Sequence, residues 1–256
     1  MRIAVTGAAG RVGRQALDAL NDHDVTPITH RHHDDVDGDV LAIEDRDAVV
    51  DAIEGHDAVV HLAANPHPSA EWDELAEPNV EGTYNVYAAA AESGVERVVF
   101  ASTNHTQQYH VFEDPADLGS LPERPDPITA DDPFRPDSLY GVSKVAGEAM
   151  GSYFADRHGI EVVNLRIGWL LSREGLLDRQ DGDEQSARFA RALWLSPRDC
   201  RQGIRKAATE SLLENPLDAN LLSDNRERYF SLIEARRGFE FDPRDDSAAV
   251  VDDADG

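Results

Sequence analysis

The chain reads as a doubly wound α/β fold, a parallel sheet with helices on both faces. Three observations predict it. Short apolar runs alternate with helical patterns, a glycine-rich turn joins the first run to the first helix, and 256 residues suit one domain.

Residues 3–6 read as a buried strand, followed by a helix with Val12, Ala16, Leu17 and Leu20 at i, i+4, i+5 and i+8. Further strands are expected at 25–29, 58–62, 97–102 and 161–167, with helices near 46–53, 80–93 and 139–157. Right-handed crossovers then bring every strand's carboxyl end to one edge, where ligands bind. The rhythm breaks at 113–137, where prolines at 115, 122, 125, 127, 133 and 136 predict a long lid or binding loop. Beyond Ile167 the pattern is looser, with helices near 197–211 and 231–237; Ser196-Pro197-Arg198-Asp199 reads as a helix cap. Residues 246–256, with Asp246, Asp252, Asp253 and Asp255, read as a frayed acidic tail. No internal repeat is evident.

Composition narrows the functions. Hydrophobic residues make up 41% of the chain, enough for a real core. No run approaches the ~18 apolar residues of a membrane span, and the N-terminus lacks a signal-peptide layout, so a soluble cytoplasmic protein is expected. The lone Cys200 cannot form an internal disulfide and reads as an inert buried thiol; no Cys/His spacing resembles a zinc site, so no metal is expected. A net charge of -26 argues against nucleic acid as a partner, because phosphates need a cationic face. The acids are 31 Asp and 19 Glu against 22 Arg and 2 Lys, a balance that predicts a cytosol of molar salt.

Thr6-Gly7-Ala8-Ala9-Gly10-Arg11-Val12-Gly13 lies between the first strand and the first helix. Glycines there allow a tight turn and let backbone approach a pyrophosphate, which a helix N-terminus favours. The second strand should end in an acid for the ribose 2′-hydroxyl of NAD. The chain has His30 and Arg31 instead, groups suited to a 2′-phosphate, so NADP is expected to serve at least as well as NAD. Asp34 and Asp35 could fold back to serve NAD, or the histidines could form a solvated loop.

Tyr140-Gly141-Val142-Ser143-Lys144 puts a phenol and an ammonium one turn apart on a helix face. A neighbouring cation favours tyrosinate, whose phenol ordinarily titrates near about 10. Such a tyrosine can take a hydroxyl proton while hydride leaves the same carbon. Lys144 is one of only two lysines, and its retention points to chemistry.

The Thr-Gly-x-x-Gly-x-x-Gly turn with Tyr-x-x-x-Lys resembles the extended short-chain dehydrogenase/reductase superfamily, of the epimerase/dehydratase kind, from residue 2 to about 170. That resemblance implies a Rossmann-type fold over 1–245, in which 1–167 is the cofactor-binding core and 168–245 a small, mainly substrate-binding portion. It implies a cofactor site built from Gly7, Ala9, Gly10, Arg11, Val12 and Gly13, with Asp39 and Val40 at the adenine. Leu62, Ala63, Ala64, Asn79, Ala101, Ser102, Ile167 and the pair Tyr140 and Lys144 would complete it. Asn79 could instead be only a helix cap. Thr103 matches the Ser/Thr that holds the reacting oxygen, with Ser102 the lesser candidate.

Within the superfamily, Ala-Ser-Thr-Asn-His-Thr at 101–106 and Trp-Leu-Ser-Pro-Arg-Asp-Cys at 194–200 resemble the uronate and short-chain-type glucose-6-phosphate dehydrogenases. These oxidise C1 of an acidic or phosphorylated aldose to a lactone. On that resemblance Asn104 and His105 contact sugar hydroxyls beside Thr103 and Tyr140, and Pro66 and His67 follow the sugar-phosphate pattern. Gly168 and Trp169 would line the pocket, which Trp169 would narrow, and Arg188 or Arg191 would meet the acidic group. The helix at 139–157, with Val145, Ala146, Ala149 and Met150, suits the superfamily's dimer contact, so a homodimer is expected. Two other readings stay open: a nucleotide-sugar epimerase or dehydratase with tightly held NAD, and a non-catalytic dinucleotide sensor.

Overall fold

The computed structural model describes residues 1–114, 116, 120, 121 and 126–255. Strand β1 (Arg2–Thr6) leads into helix α1 (Arg11–Ala19), and β2 (Asp24–Thr29) and the two-residue β3 (Asp39–Val40) follow. Next come α2 (Arg46–Ile53), β4 (Ala58–His61), the single turn α3 (Trp72–Leu75) and α4 (Gly82–Ser93). Strand β5 (Arg97–Thr103), the long α5 (Leu139–His158) and β6 (Glu161–Ile167) complete the predicted core. The remainder holds β7 (Trp169–Leu170), α6 (Arg173–Asp178), α7 (Glu184–Leu193), β8 (Trp194–Leu195), α8 (Pro197–Thr209), β9 (Leu217–Leu221), α9 (Ile233–Gly238) and α10 (Ser247–Asp255).

Seven parallel strands lie in the order β3-β2-β1-β4-β5-β6-β9. Alternation within each strand feeds two cores. Ile3, Val5, Val60 and Val99 pack beneath α1 and α8 with Ala16 and Ile204. Ala4, Val59, Val98 and Phe100 pack beneath α2, α4 and α5 with Val49, Val86 and Phe154. Burial on both faces is why these strands read as unbroken apolar runs. The order reverses between β1 and β4, and the crevice beyond their carboxyl ends is where such sheets bind ligands.

The structure corrects two expectations. Residues 246–256 are no frayed tail through 255: α10 docks on α6 and α7, where Val250 packs beside Leu171, Leu176, Ala190 and Trp194. Buried Ser247 ties its start down, donating its hydroxyl to the Arg191 carbonyl (2.8 Å) and its N–H to Asn225 (3.1 Å). Asn79, in turn, caps no helix. It sits inside a wide π-helical turn, Ala76–Glu81, that joins α3 to α4. Of the loop expected at 113–137, residues 115, 117–119 and 122–125 lie outside the described residues. Ser196 does cap α8, accepting from the Asp199 N–H at 3.0 Å, with Pro197 at the first position. Cys200 is fully buried, and burial pushes its thiol up to about 12.

Candidate active site

Two glycines shape the turn after β1. Gly7 has φ +67°, and a Cβ there would lie 2.7 Å from the Ala63 N, so β1 and the exit of β4 approach as only glycine permits. A Cβ on Gly13 would sit 2.3 Å from the Gly7 carbonyl oxygen. Gly10 caps α1 without a side chain, and the first turn carries no acid. Its free N–H groups and dipole therefore face the crevice unneutralised. Arg11 lines the same crevice and has no ion-pair partner among the described residues. This cradle fits a dinucleotide pyrophosphate.

Thr6 braces the strand ends. Its hydroxyl bonds to His61 Nδ1 (2.7 Å) and accepts the N–H groups of Leu62 and Ala63, both at 3.2 Å. Burial, then the charge of Lys144, push His61 down to about 3, so it is a neutral structural residue. Buried Asn79 accepts from the Asn65 N–H (2.7 Å) and donates to the Asn65 carbonyl and to Ser143 Oγ, each at 3.0 Å. It thus staples the loop after β4 to α5.

Ser138 caps α5 through the Gly141 N–H at 3.1 Å, which aims Tyr140 and Lys144 into a cleft of about 450 Å³. Arg11, Val12, Leu62 and Ala64 line one end, near the pyrophosphate cradle. Ala101, Ser102, Thr103, Tyr140, Lys144 and Ile167 form the floor. Asn104, His105, Gly168, Trp169, Leu170 and Phe189 wall the other end, with Pro66 and Pro68 at the rim. Burial pushes the Tyr140 phenol up to about 12, which a hydrogen bond with Thr103 opposes. Burial likewise pushes Lys144 down to about 7, which the Glu148 charge opposes. The Lys144 ammonium lies 4.8 Å from the Phe100 ring centroid and 6.0 Å from that of Tyr140.

His105 stands edge-on to Tyr140, ring centroids 5.8 Å apart. Its Nδ1 lies 2.9 and 3.0 Å from the two Asp137 carboxylate oxygens. A carboxylate only accepts, so Nδ1 carries a proton, and in the neutral ring Nε2 is then the acceptor. Asp137 was not among the sequence candidates; its partner lies 32 residues away, and no local spacing announces the pair.

Other predicted residues lie apart from the cleft. His67 is exposed, and Pro66 and Pro68 rather than it reach the rim. Neither Arg188 nor Arg191 is in the wall, where Phe189 of α7 stands instead. Arg191 is engaged by Glu227 (3.2 Å) and Gln180 (2.8 Å), and Arg188 donates to the Leu121 carbonyl. His30 and Arg31, just past the end of β2, and Asp39 and Val40, which form β3, are all exposed. Asp35 is held there by Arg14, and Asp34 lies 3.4 Å from His32. Among the described residues no three His, Cys, Asp or Glu side chains converge on a metal position. No helix among them is long and apolar enough to cross a membrane.

A switch-point crevice with a pyrophosphate cradle at one end and a Thr–Tyr–Lys group at the other defines a dinucleotide-dependent oxidoreductase acting on a CH–OH group. Residues 3–194 match the NAD dependent epimerase/dehydratase family, and the chain belongs to it. It is 54% identical to an L-arabinose 1-dehydrogenase (NAD(P)(+)) of Haloferax volcanii, over 98% of this chain and 99% of the relative. An NAD-dependent glucose-6-phosphate dehydrogenase of the same organism is 35% identical over 96% of this chain and 94% of its own. The structure of a glucuronic acid dehydrogenase from Chromohalobacter salexigens superposes with a TM-score of 0.80 at 28% identity, covering 99% of this chain and 88% of that one.

Proposed function

We propose that the chain is an NAD(P)-dependent aldose 1-dehydrogenase that oxidises the C1 hydroxyl of a neutral aldose, a pentose of the L-arabinose type, to its lactone. One observation carries the neutral substrate: among the described residues the cleft wall offers no spare cation for an acidic group. Arg11 and Lys144 line it among the described residues, but one faces the pyrophosphate cradle and the other serves Tyr140. Arg191 is consumed by Glu227 and Gln180. The 54% identity to an L-arabinose 1-dehydrogenase points the same way.

In this reading Thr103 orients the C1 hydroxyl, and the Tyr140 phenolate takes its proton as the C1–H hydride departs. Bound nicotinamide supplies the hydride acceptor. Lys144 stabilises the phenolate, while His105, held by Asp137 through Nδ1, meets a neighbouring sugar hydroxyl with Nε2. Trp169 and Phe189 supply apolar walls for the sugar's faces. NADP serves at least as well as NAD, because His30 and Arg31 follow β2 and the nearby Asp35 is engaged by Arg14. The enzyme works as a homodimer through α4 and α5, whose Tyr84 and Tyr153 are exposed, in the cytoplasm of a high-salt cell.

Initial rates with L-arabinose, other neutral aldoses, glucose 6-phosphate and glucuronate, each with NAD and NADP, test this. The expected result is highest kcat/KM for a neutral pentose, with NADP at least equal to NAD. A preference for the phosphate or uronate overturns the neutral substrate, and a strong NAD preference overturns the cofactor assignment. Cofactor that stays bound through turnover would point to an epimerase instead.

A further inference from the structure

We infer that Glu148, locked to Arg166 beneath the active site, is the positioning residue that draws the shared proton of the Tyr140–Lys144 pair towards the lysine. This rests on the dehydrogenase reading of the site. Tyr140, Lys144 and Glu148 follow one another at i, i+4 and i+8 on one stripe of α5. Glu148 is 2% exposed and Arg166 is 1% exposed. Arg166 donates from Nε to Oε1 at 3.0 Å and from its terminal nitrogen to Oε2 at 2.8 Å. Glu148 Oε1 also accepts the hydroxyl of Ser102, the neighbour of Thr103. The other terminal nitrogen of Arg166 donates to the Ala130 carbonyl at 2.8 Å. One carboxylate therefore joins the catalytic helix to the ends of β5 and β6 and to the loop that carries Asp137.

Stability alone does not account for a buried ion pair here, since well-packed apolar residues commonly hold such a place as well or better. What an apolar pair cannot supply is a fixed negative charge one turn from Lys144. Lys144 makes no ion pair among the described residues. The titratable groups facing it are Tyr140 and Glu148 on its own helix and neutral His61 from β4. Around Glu148 lie Tyr87 of α4, Arg166 of β6 and Asp218 of β9, with Glu234 of α9 beyond Arg166.

Once the Tyr140–Lys144 pair has lost one proton it has two forms. Phenolate with ammonium can accept the substrate proton; phenol with amine cannot. A carboxylate nearer the lysine than the phenol favours the first form, and it also raises the pH at which the pair gives up that proton.

The test compares wild type with Glu148→Gln and with Glu148→Gln/Arg166→Met, which removes both members of the buried pair together if the single variant fails to fold. Sugar oxidation is followed against pH, and tyrosinate absorbance is titrated in the cofactor-free chain with Tyr140→Phe as the blank. Both variants should move the acid limb of kcat/KM to lower pH, by about one unit for the single variant. The plateau should fall ~10-fold or more and the Tyr140 tyrosinate signal should shrink. Glu148→Asp, which keeps the charge, should restore the limb. A lower plateau on an unmoved limb with an unchanged tyrosinate signal overturns the inference and leaves Glu148 structural. If Tyr140→Phe itself retains turnover, the reading of the site fails instead.

Discussion

In the proposed reaction Lys144 and Tyr140 hold the chemistry in a proton that neither keeps alone. Burial pushes Lys144 down to about 7 and Tyr140 up to about 12. The first proton therefore leaves the pair near 7, and below that both groups are protonated and no base exists. Sugar oxidation should consequently rise as pH climbs through about 7, while lactone reduction, which needs Tyr140 as acid, should fall. Tyr140→Phe should lower oxidation by ~10²- to 10⁴-fold and abolish this limb, with melting temperature little changed. Rates of the wild type and variant between about pH 5 and about pH 9 check both; a flat profile would remove the pair from the mechanism. These residues were legible because Tyr-x-x-x-Lys is local spacing on one helix. The substrate arginines were not. On α7 each step turns the side chain by ~100°, so Phe189 faces the cleft while Arg188 and Arg191 point elsewhere.

At the scale of elements, β1, β4 and β5 and their helices were readable because these strands are apolar and buried on both faces. Strand β9 was not: Leu217-Asp218-Ala219-Asn220-Leu221 interleaves polar residues whose partners are distant, such as Asn164, which donates to Asp218 at 2.7 Å. The docked α10 was masked by the aspartates of its last turn, although Ala248, Ala249, Val250 and Val251 precede them and Val250 packs on the neighbouring cluster. The placement of α5 on β5 depends on something sequence pattern shows only as a glycine. A Cβ on Gly147 would lie 2.3 Å from Phe100 Cζ, so the ring and the helix share that space. The Lys144 ammonium rests over the same ring. Gly147→Ala should thus force Phe100 aside or lift α5, at a cost of about 1–3 kcal/mol for overpacking. A lower melting temperature should come with a lower kcat, because Lys144 moves with its support. Thermal melts and steady-state kinetics on the one variant check this; a stable variant of normal kcat would show that α5 has slack the geometry denies.

Across the whole molecule, 50 acids face 24 Lys and Arg, so 26 carboxylates have no basic side chain to pair with. Exposed pairs such as Arg205–Asp22 and Arg226–Asp246 are individually weak and lose strength in salt. The unpaired excess repels itself, and salt weakens that repulsion too. The excess exceeds the number of pairs available, so screening should on balance stabilise the fold. The Debye length falls from about 30 Å at about 0.01 M to about 3 Å at about 1 M. Melting temperature should therefore climb steeply with KCl up to about 1 M and level off beyond it. Exclusion of salt from the surface would instead keep raising it at higher concentration. Substituting Asp253, an acid in the last turn of α10, by Asn should raise stability in dilute buffer and change little in molar salt. A melting temperature independent of KCl, or no gain from this substitution at low salt, would show that the acidic surface carries no repulsive load.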